Sequence, residues 1–146
     1  MKWLLMSVIL VAAIPAFAGE NLKLNPKLDY NSDSQDGPLI TGENMDEGFV
    51  AGKPAYVIMY GEGCYNSKRQ ARRTVELYGK YRGRVQFVVI DLDQRLSPSQ
   101  QDLKQKYYTG YIPHVLVLDG SGKALYNASG EVDTTVISGR FDKALR

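Results

Sequence analysis

Cysteine occurs once in the chain, at Cys64, and its surroundings Gly61-Glu-Gly-Cys-Tyr-Asn-Ser67-Lys68 are where residue type and spacing point most directly to chemistry. A thiolate, not a thiol, is the nucleophile, and it is favoured by a helix N-terminus and by nearby cations. Cys64 lies between an apolar run and an amphipathic stretch, so it falls at the amino end of a helix. Lys68, Arg69, Arg72 and Arg73 add positive charge there, and Glu62 opposes them. Ser67, one helical turn on, can hydrogen-bond the sulfur but cannot attack a disulfide as a cysteine would. A plainer reading stands beside this one: Asn66 and Ser67 cap the helix and Cys64 is a small filler. His114, the only histidine, either stabilises the thiolate and shuttles its proton or is a strand residue bonded to backbone. Cys64 and His114 are too few ligands for zinc, so no metal and no cofactor are expected.

The elements that must position these residues follow from the hydrophobic pattern. Residues 55–60, bounded by Gly-Lys-Pro and Gly-Glu-Gly, read as a buried strand. Residues 67–82 read as a helix whose apolar face carries Ala71, Val75 and Tyr78. Residues 85–93 are too hydrophobic for a one-sided strand, which predicts a central, parallel one. A second helix is expected over 99–108, capped by Ser97 or Ser99. A strand over 114–119 then turns through Gly120-Ser-Gly122 into 123–127, a hairpin. Asp133 or Thr134 starts a last helix burying Ile137, Phe141, Ala144 and Leu145. Helices alternating with strands, followed by an antiparallel hairpin, give an α/β fold with a mixed sheet covered on both faces. Residues 19–48 are turn-rich and read as a partly extended N-terminal extension ending in a short helical turn near 44–50.

From Ala55 onward the chain resembles a thioredoxin domain. Cys64-Tyr-Asn-Ser67 is similar to the Cys-x-x-Cys redox motif with serine in place of the second cysteine. Residues 81–93 match the family's helix end and following strand, and Gly122-Lys-Ala-Leu its later hairpin turn. Gly110-Tyr-Ile-Pro113-His resembles the loop whose proline is cis in the family and packs on the redox motif. The resemblance implies a thioredoxin-like fold over 49–146, with Cys64 and Ser67 as catalytic positions. It implies Tyr65, Asn66, Ile112, Pro113 and His114 as the surface that meets substrate. The departures are also informative. Ile58 stands where the family often has a buried aspartate, Val89 where it commonly has a lysine, and Gly63 where it has a tryptophan. The segment between Asp93 and Pro113 is longer than usual. With Ser67 the chain holds no dithiol of its own.

Tyr60, Tyr65, Tyr107, Tyr108 and Tyr111 either ring the Cys64 end of the sheet or serve as core rim; Tyr78 and Tyr81 are expected in the core, and Tyr65 and Tyr111 are the candidates for binding surface. At the other end of the chain, Lys2 precedes an apolar run closed by Pro15-Ala-Phe-Ala18, an A-x-A site cut before Gly19. Residues 1–18 therefore read as a signal peptide, making the protein exported, to a periplasm or the outside, with no stable membrane insertion after cleavage. A formal net charge of +2, less one lysine after cleavage, gives no reason to expect nucleic acid. Two functions remain. One is thiol–disulfide exchange or isomerisation through Cys64, an outside thiol resolving the mixed disulfide, with protein thiols, disulfides or small thiols as partners. The other is a redox-inactive module that holds extended polypeptide on the proline loop. A lone cysteine outside the cytoplasm can also pair two copies through Cys64.

Overall fold

Residues 55–60 and 86–91 form two six-residue strands with every residue buried, because both faces of this sheet are covered. The computed structural model describes residues 17–146, so the predicted signal peptide lies, but for Phe17 and Ala18, outside the described residues. The order is β1 (Glu20–Leu24), β2 (Ile40–Glu43), β3 (Ala55–Tyr60), α1 (Tyr65–Tyr81), β4 (Gln86–Asp91), α2 (Pro98–Tyr107), β5 (His114–Leu118), β6 (Ala124–Ser129) and α3 (Thr134–Ala144). The main sheet runs β4-β3-β5-β6, with β3 and β4 parallel and the other pairs antiparallel. This is the mixed α/β architecture the pattern predicts.

The two-residue side-chain period of each strand divides the core. Tyr56, Ile58, Tyr60, Phe87, Val89, Val115 and Val117 face α1 and α3, meeting Ala71, Leu77, Tyr81, Ile137 and Phe141. Ala55, Val57, Met59, Val88, Ile90, Leu116 and Leu118 face the other way, toward Leu103 of α2. Phe141 is the hub of the first layer, in edge contact with Tyr56, Tyr81 and Phe87.

Several expectations are corrected. β4 is parallel but lies at the sheet's edge, not its centre. It is apolar all the same because helices cover both faces and the start of the chain runs past it. Gly19, at φ +50, passes so close that a Cβ there would collide with the Phe87 carbonyl oxygen. On α1 the buried stripe is Gln70, Ala71, Thr74, Leu77 and Tyr81, while Val75 and Tyr78 are only partly buried. Polar residues occupy that stripe because Tyr56 Oη bonds both Thr74 Oγ1, at 2.7 Å, and Gln70 Nε2, at 3.2 Å. Residues 44–46 form a turn and no helix follows through 50. The extension also contains a feature the pattern does not show. β1 and β2 pair antiparallel, and Leu22, Tyr30, Leu39 and Ile40 enter the same core as Tyr56 and Phe141.

Candidate functional site around Cys64

Cys64 is the N-cap residue of α1, half-buried, with backbone still extended (φ −97, ψ 120) and no capping bond from its side chain. Its backbone does the ordinary work of a helix start, its carbonyl accepting Lys68 N–H at 3.0 Å. Gly61, three residues earlier, lets the opposite loop come close: a Cβ there would collide with Ile112 Cδ1. The Ile112–Pro113 bond is cis, as the resemblance implies. The proline loop and the cysteine loop are thus packed together, with Tyr111 beside them 74% exposed.

The other sequence-predicted residues are placed as follows. Ser67 is fully buried, and its Oγ accepts Gly61 N–H at 3.4 Å. Tyr65 and Asn66 open the helix; the Tyr65 ring lies under the Arg69 guanidinium, and Asn66 Oδ1 accepts from Arg69. Pro113 is buried. His114 is fully buried and held by β6: its Nε2 donates to Asn127 Oδ1 at 2.6 Å, and its Nδ1 faces Ser129 Oγ at 3.2 Å. Its partners are side chains, not the backbone. Of the tyrosines, Tyr60 is fully buried, Tyr65, Tyr107 and Tyr108 are half-buried, and Tyr111 stands out in solvent.

The basic residues of α1 do not converge on the sulfur. Lys68 is fully buried and points the other way, into the extension, where Nζ donates to the carbonyls of Asp29, Ser32 and Ser34 at 2.6, 2.7 and 2.8 Å. Arg69 and Arg73 pair with Glu131. Arg72 lies over the Tyr30 ring. The helix N-terminus also has an anion already: Asp33 Oδ1 accepts Tyr65 N–H at 2.9 Å. Residues 29–36 form a strap, held by Lys68 and Asp33, that passes beside Gly63, where an added Cβ would lie 3.3 Å from Gln35 Cβ. Nothing in the run Asp29-Tyr-Asn-Ser-Asp-Ser-Gln-Asp36 announces a partner so far along the chain, so sequence reasoning misses it.

Below the cysteine loop lies a cluster of acids. Glu62 and Asp91 are buried, Glu62 N–H donates to Asp93 Oδ2 at 2.7 Å, and Gln94 Nε2 donates to Glu62 Oε1 at 2.8 Å. Burial first, then a hydrogen bond to Glu62, pushes the Asp91 carboxyl up to about 7. The Tyr60 hydroxyl, raised by burial and by Asp91, donates to Asp91 Oδ2 at 3.1 Å and accepts Leu39 N–H at 3.0 Å. A visible signal exists for this cluster, an acid closing the apolar run Phe87-Val-Val-Ile-Asp91. Among the described residues no three His, Cys, Asp or Glu side chains gather as metal ligands.

No protein-family model and no curated protein matches the sequence. Solved structures do match in shape. A thioredoxin-like protein from Clostridium perfringens superposes with a TM-score of 0.54 at 17% identity, over 65% of this chain and 73% of that one. A thioredoxin-2 described as a component of the malaria parasite protein secretion machinery gives 0.53 at 16% identity, over 62% and 82%. Chloroplastic thioredoxin z gives 0.51 at 20% identity, over 63% and 78%. The fold with its cis proline and helix-capping cysteine is that of the thioredoxin-like class. This chain is a thioredoxin-fold protein with a single cysteine and with β1, β2 and a strap packed beside the cysteine loop.

Proposed function

We propose that this protein carries out thiol–disulfide exchange with a single thiol, Cys64, and relies on an outside thiol to complete the reaction. The observation that carries this reading is the half-buried Cys64 at the start of α1, packed beside the cis-proline loop and free of any capping bond. The Cys64 thiolate attacks one sulfur of a disulfide. A new sulfur–sulfur bond forms as the old one breaks, and the departing thiolate takes a proton from solvent. A second thiol, on the same substrate or on a small thiol, then attacks the mixed disulfide and returns Cys64. On one substrate this is isomerisation. Tyr111 and Ile112, beside the cysteine loop, offer the apolar surface on which an extended polypeptide would rest.

Incubation with a disulfide such as oxidised glutathione tests the reading. The wild-type chain is expected to gain the mass of one mixed-disulfide adduct at Cys64, reversed by added thiol, and Cys64→Ser to gain none. An intact, folded protein that takes up no adduct would contradict it.

A second reading is a binding module without redox turnover, favoured by one observation. Asp33 already occupies the helix N-terminus, and Lys68, Arg69 and Arg73 are engaged elsewhere, so the environment of Cys64 is less electropositive than its neighbours in sequence suggest. Retained affinity of Cys64→Ser for an unfolded polypeptide, with no adduct in the parent, would select it.

We also propose export, on residues 1–18 alone. In a secreting host the mature protein is expected to have the mass of a chain starting at Gly19. Full-length chain in the membrane fraction would overturn that.

A further inference from the structure

The loop that carries Cys64 has a second loop brought in against each of its two glycines. At Gly61 it is the proline loop, so near that a Cβ would stand 2.4 Å from Ile112 Cδ1. At Gly63 it is the strap 29–36: a Cβ there would lie 3.3 Å from Gln35 Cβ and 3.5 Å from the Asp33 carbonyl oxygen. Tyr65 N–H, just past the cysteine, donates to Asp33 Oδ1 at 2.9 Å. The strap therefore touches the residue before Cys64 and the residue after it. It is also firmly held. Lys68 Nζ, besides its bonds to the carbonyls of Asp29, Ser32 and Ser34, donates to Ser34 Oγ at 3.2 Å, and such charge-assisted bonds are the strong ones. Within the strap, Ser32 Oγ donates to Asp29 Oδ2 at 2.7 Å and Ser34 Oγ to Asp36 Oδ2 at 2.6 Å. At its root Tyr30 is buried, its hydroxyl donating to the Leu39 carbonyl at 2.5 Å and accepting Asn25 N–H at 2.9 Å. A segment bonded in this way opens seldom, so what it keeps from Cys64 it keeps out in the resting protein.

We propose that the strap is the specificity-determining wall of the Cys64 site, with Lys68 as its positioning residue. Attack on a disulfide needs the sulfur–sulfur axis of the substrate aligned with the Cys64 sulfur. A disulfide on a small molecule, or on one extended chain, reaches that alignment between the strap and the proline loop. A disulfide on a folded surface brings neighbouring backbone with it, and those neighbours meet the exposed side chains of Asp33 and Gln35 first. The substrate class is thus small disulfides and unfolded polypeptide, and the selection works by a clash against the wrong partner. The inference rests on the reading of Cys64 as the reacting thiol and names what that thiol can reach.

The test presents one mixed disulfide, a cysteine capped with thionitrobenzoate, on two carriers: an unstructured peptide and the surface of a small folded domain. Attack by Cys64 forms a bond to the carrier's sulfur, breaks the old sulfur–sulfur bond and releases the coloured thionitrobenzoate thiolate, whose absorbance gives the rate. Reduced glutathione acting on the same two carriers supplies the ratio for a thiol with no wall beside it. The wild type is expected to prefer the peptide by roughly tenfold or more beyond the glutathione ratio. Lys68→Met, checked for folding by circular dichroism, should bring the preference to within about threefold of that ratio. A wild-type preference no greater than that of glutathione overturns the proposal and leaves the exchange reading intact. A folded Lys68→Met that keeps the full wild-type preference does the same. No colour from either carrier with the folded protein overturns the exchange reading itself. Should Lys68→Met not fold, Gln35→Ala, which trims the wall beside Gly63, decides: a preference reduced about threefold or more supports the proposal, and an unchanged one overturns it.

Discussion

Replacing Lys68 by methionine is expected to destabilise the protein by about 3 kcal/mol, one of the largest effects a surface-helix lysine could show. The basis is the fully buried ammonium and its three carbonyl partners from Asp29, Ser32 and Ser34. Charge-assisted hydrogen bonds contribute roughly 1.5–3 kcal/mol each, and lifting of the strap into water returns part of that loss. Methionine keeps the volume and removes the donors, so the change isolates the bonds. The fall should appear in urea unfolding as a lower midpoint, with new protease cleavage within residues 29–36. Release of the strap would also withdraw Asp33 from Tyr65 N–H and open the approach to Cys64. An unchanged midpoint and an uncut strap would show that Lys68 does not hold the extension.

Ser67→Cys is expected to shorten the lifetime of a mixed disulfide on Cys64 by about a hundredfold relative to millimolar external thiol. A thiol held one helical turn away attacks within the molecule, with the effective-concentration advantage that positioning confers. Ser67 is buried against Gly61 N–H, and the larger sulfur costs about 1 kcal/mol or more in that space. Mass spectrometry after quenching at timed intervals measures the decay. A lifetime equal to that of the parent, together with no disulfide between Cys64 and the introduced thiol under oxidant, would place the two positions out of reach of each other.

These two positions also show what the sequence can and cannot reveal. Ser67 is legible, because motif spacing is local and a helix turn fixes its relation to Cys64. The strands and helices of the main sheet are legible for the same reason: continuous apolar runs such as Ala55–Tyr60 and a Ser97 cap that bonds Gln100 N–H are written in neighbouring residues. Lys68 misleads. Four basic residues on successive turns look like a field around the sulfur, yet Lys68 is buried and Arg69 and Arg73 turn to Glu131, all through partners distant in sequence. The edge position of β4 is illegible too, since burial of both faces makes an edge strand as apolar as a central one. His114 can be placed on a strand from sequence, but its side-chain partners, Asn127 and Ser129, come from the register of β5 on β6.

The central claim is that Cys64 is a thiol presented for reaction in the folded protein. Its most direct measurement is the rate of alkylation of the native protein at neutral pH, set beside the rate of the same cysteine in urea. The half-buried position at the start of α1 predicts full labelling of one thiol without unfolding. Labelling that begins only as the protein unfolds would contradict it.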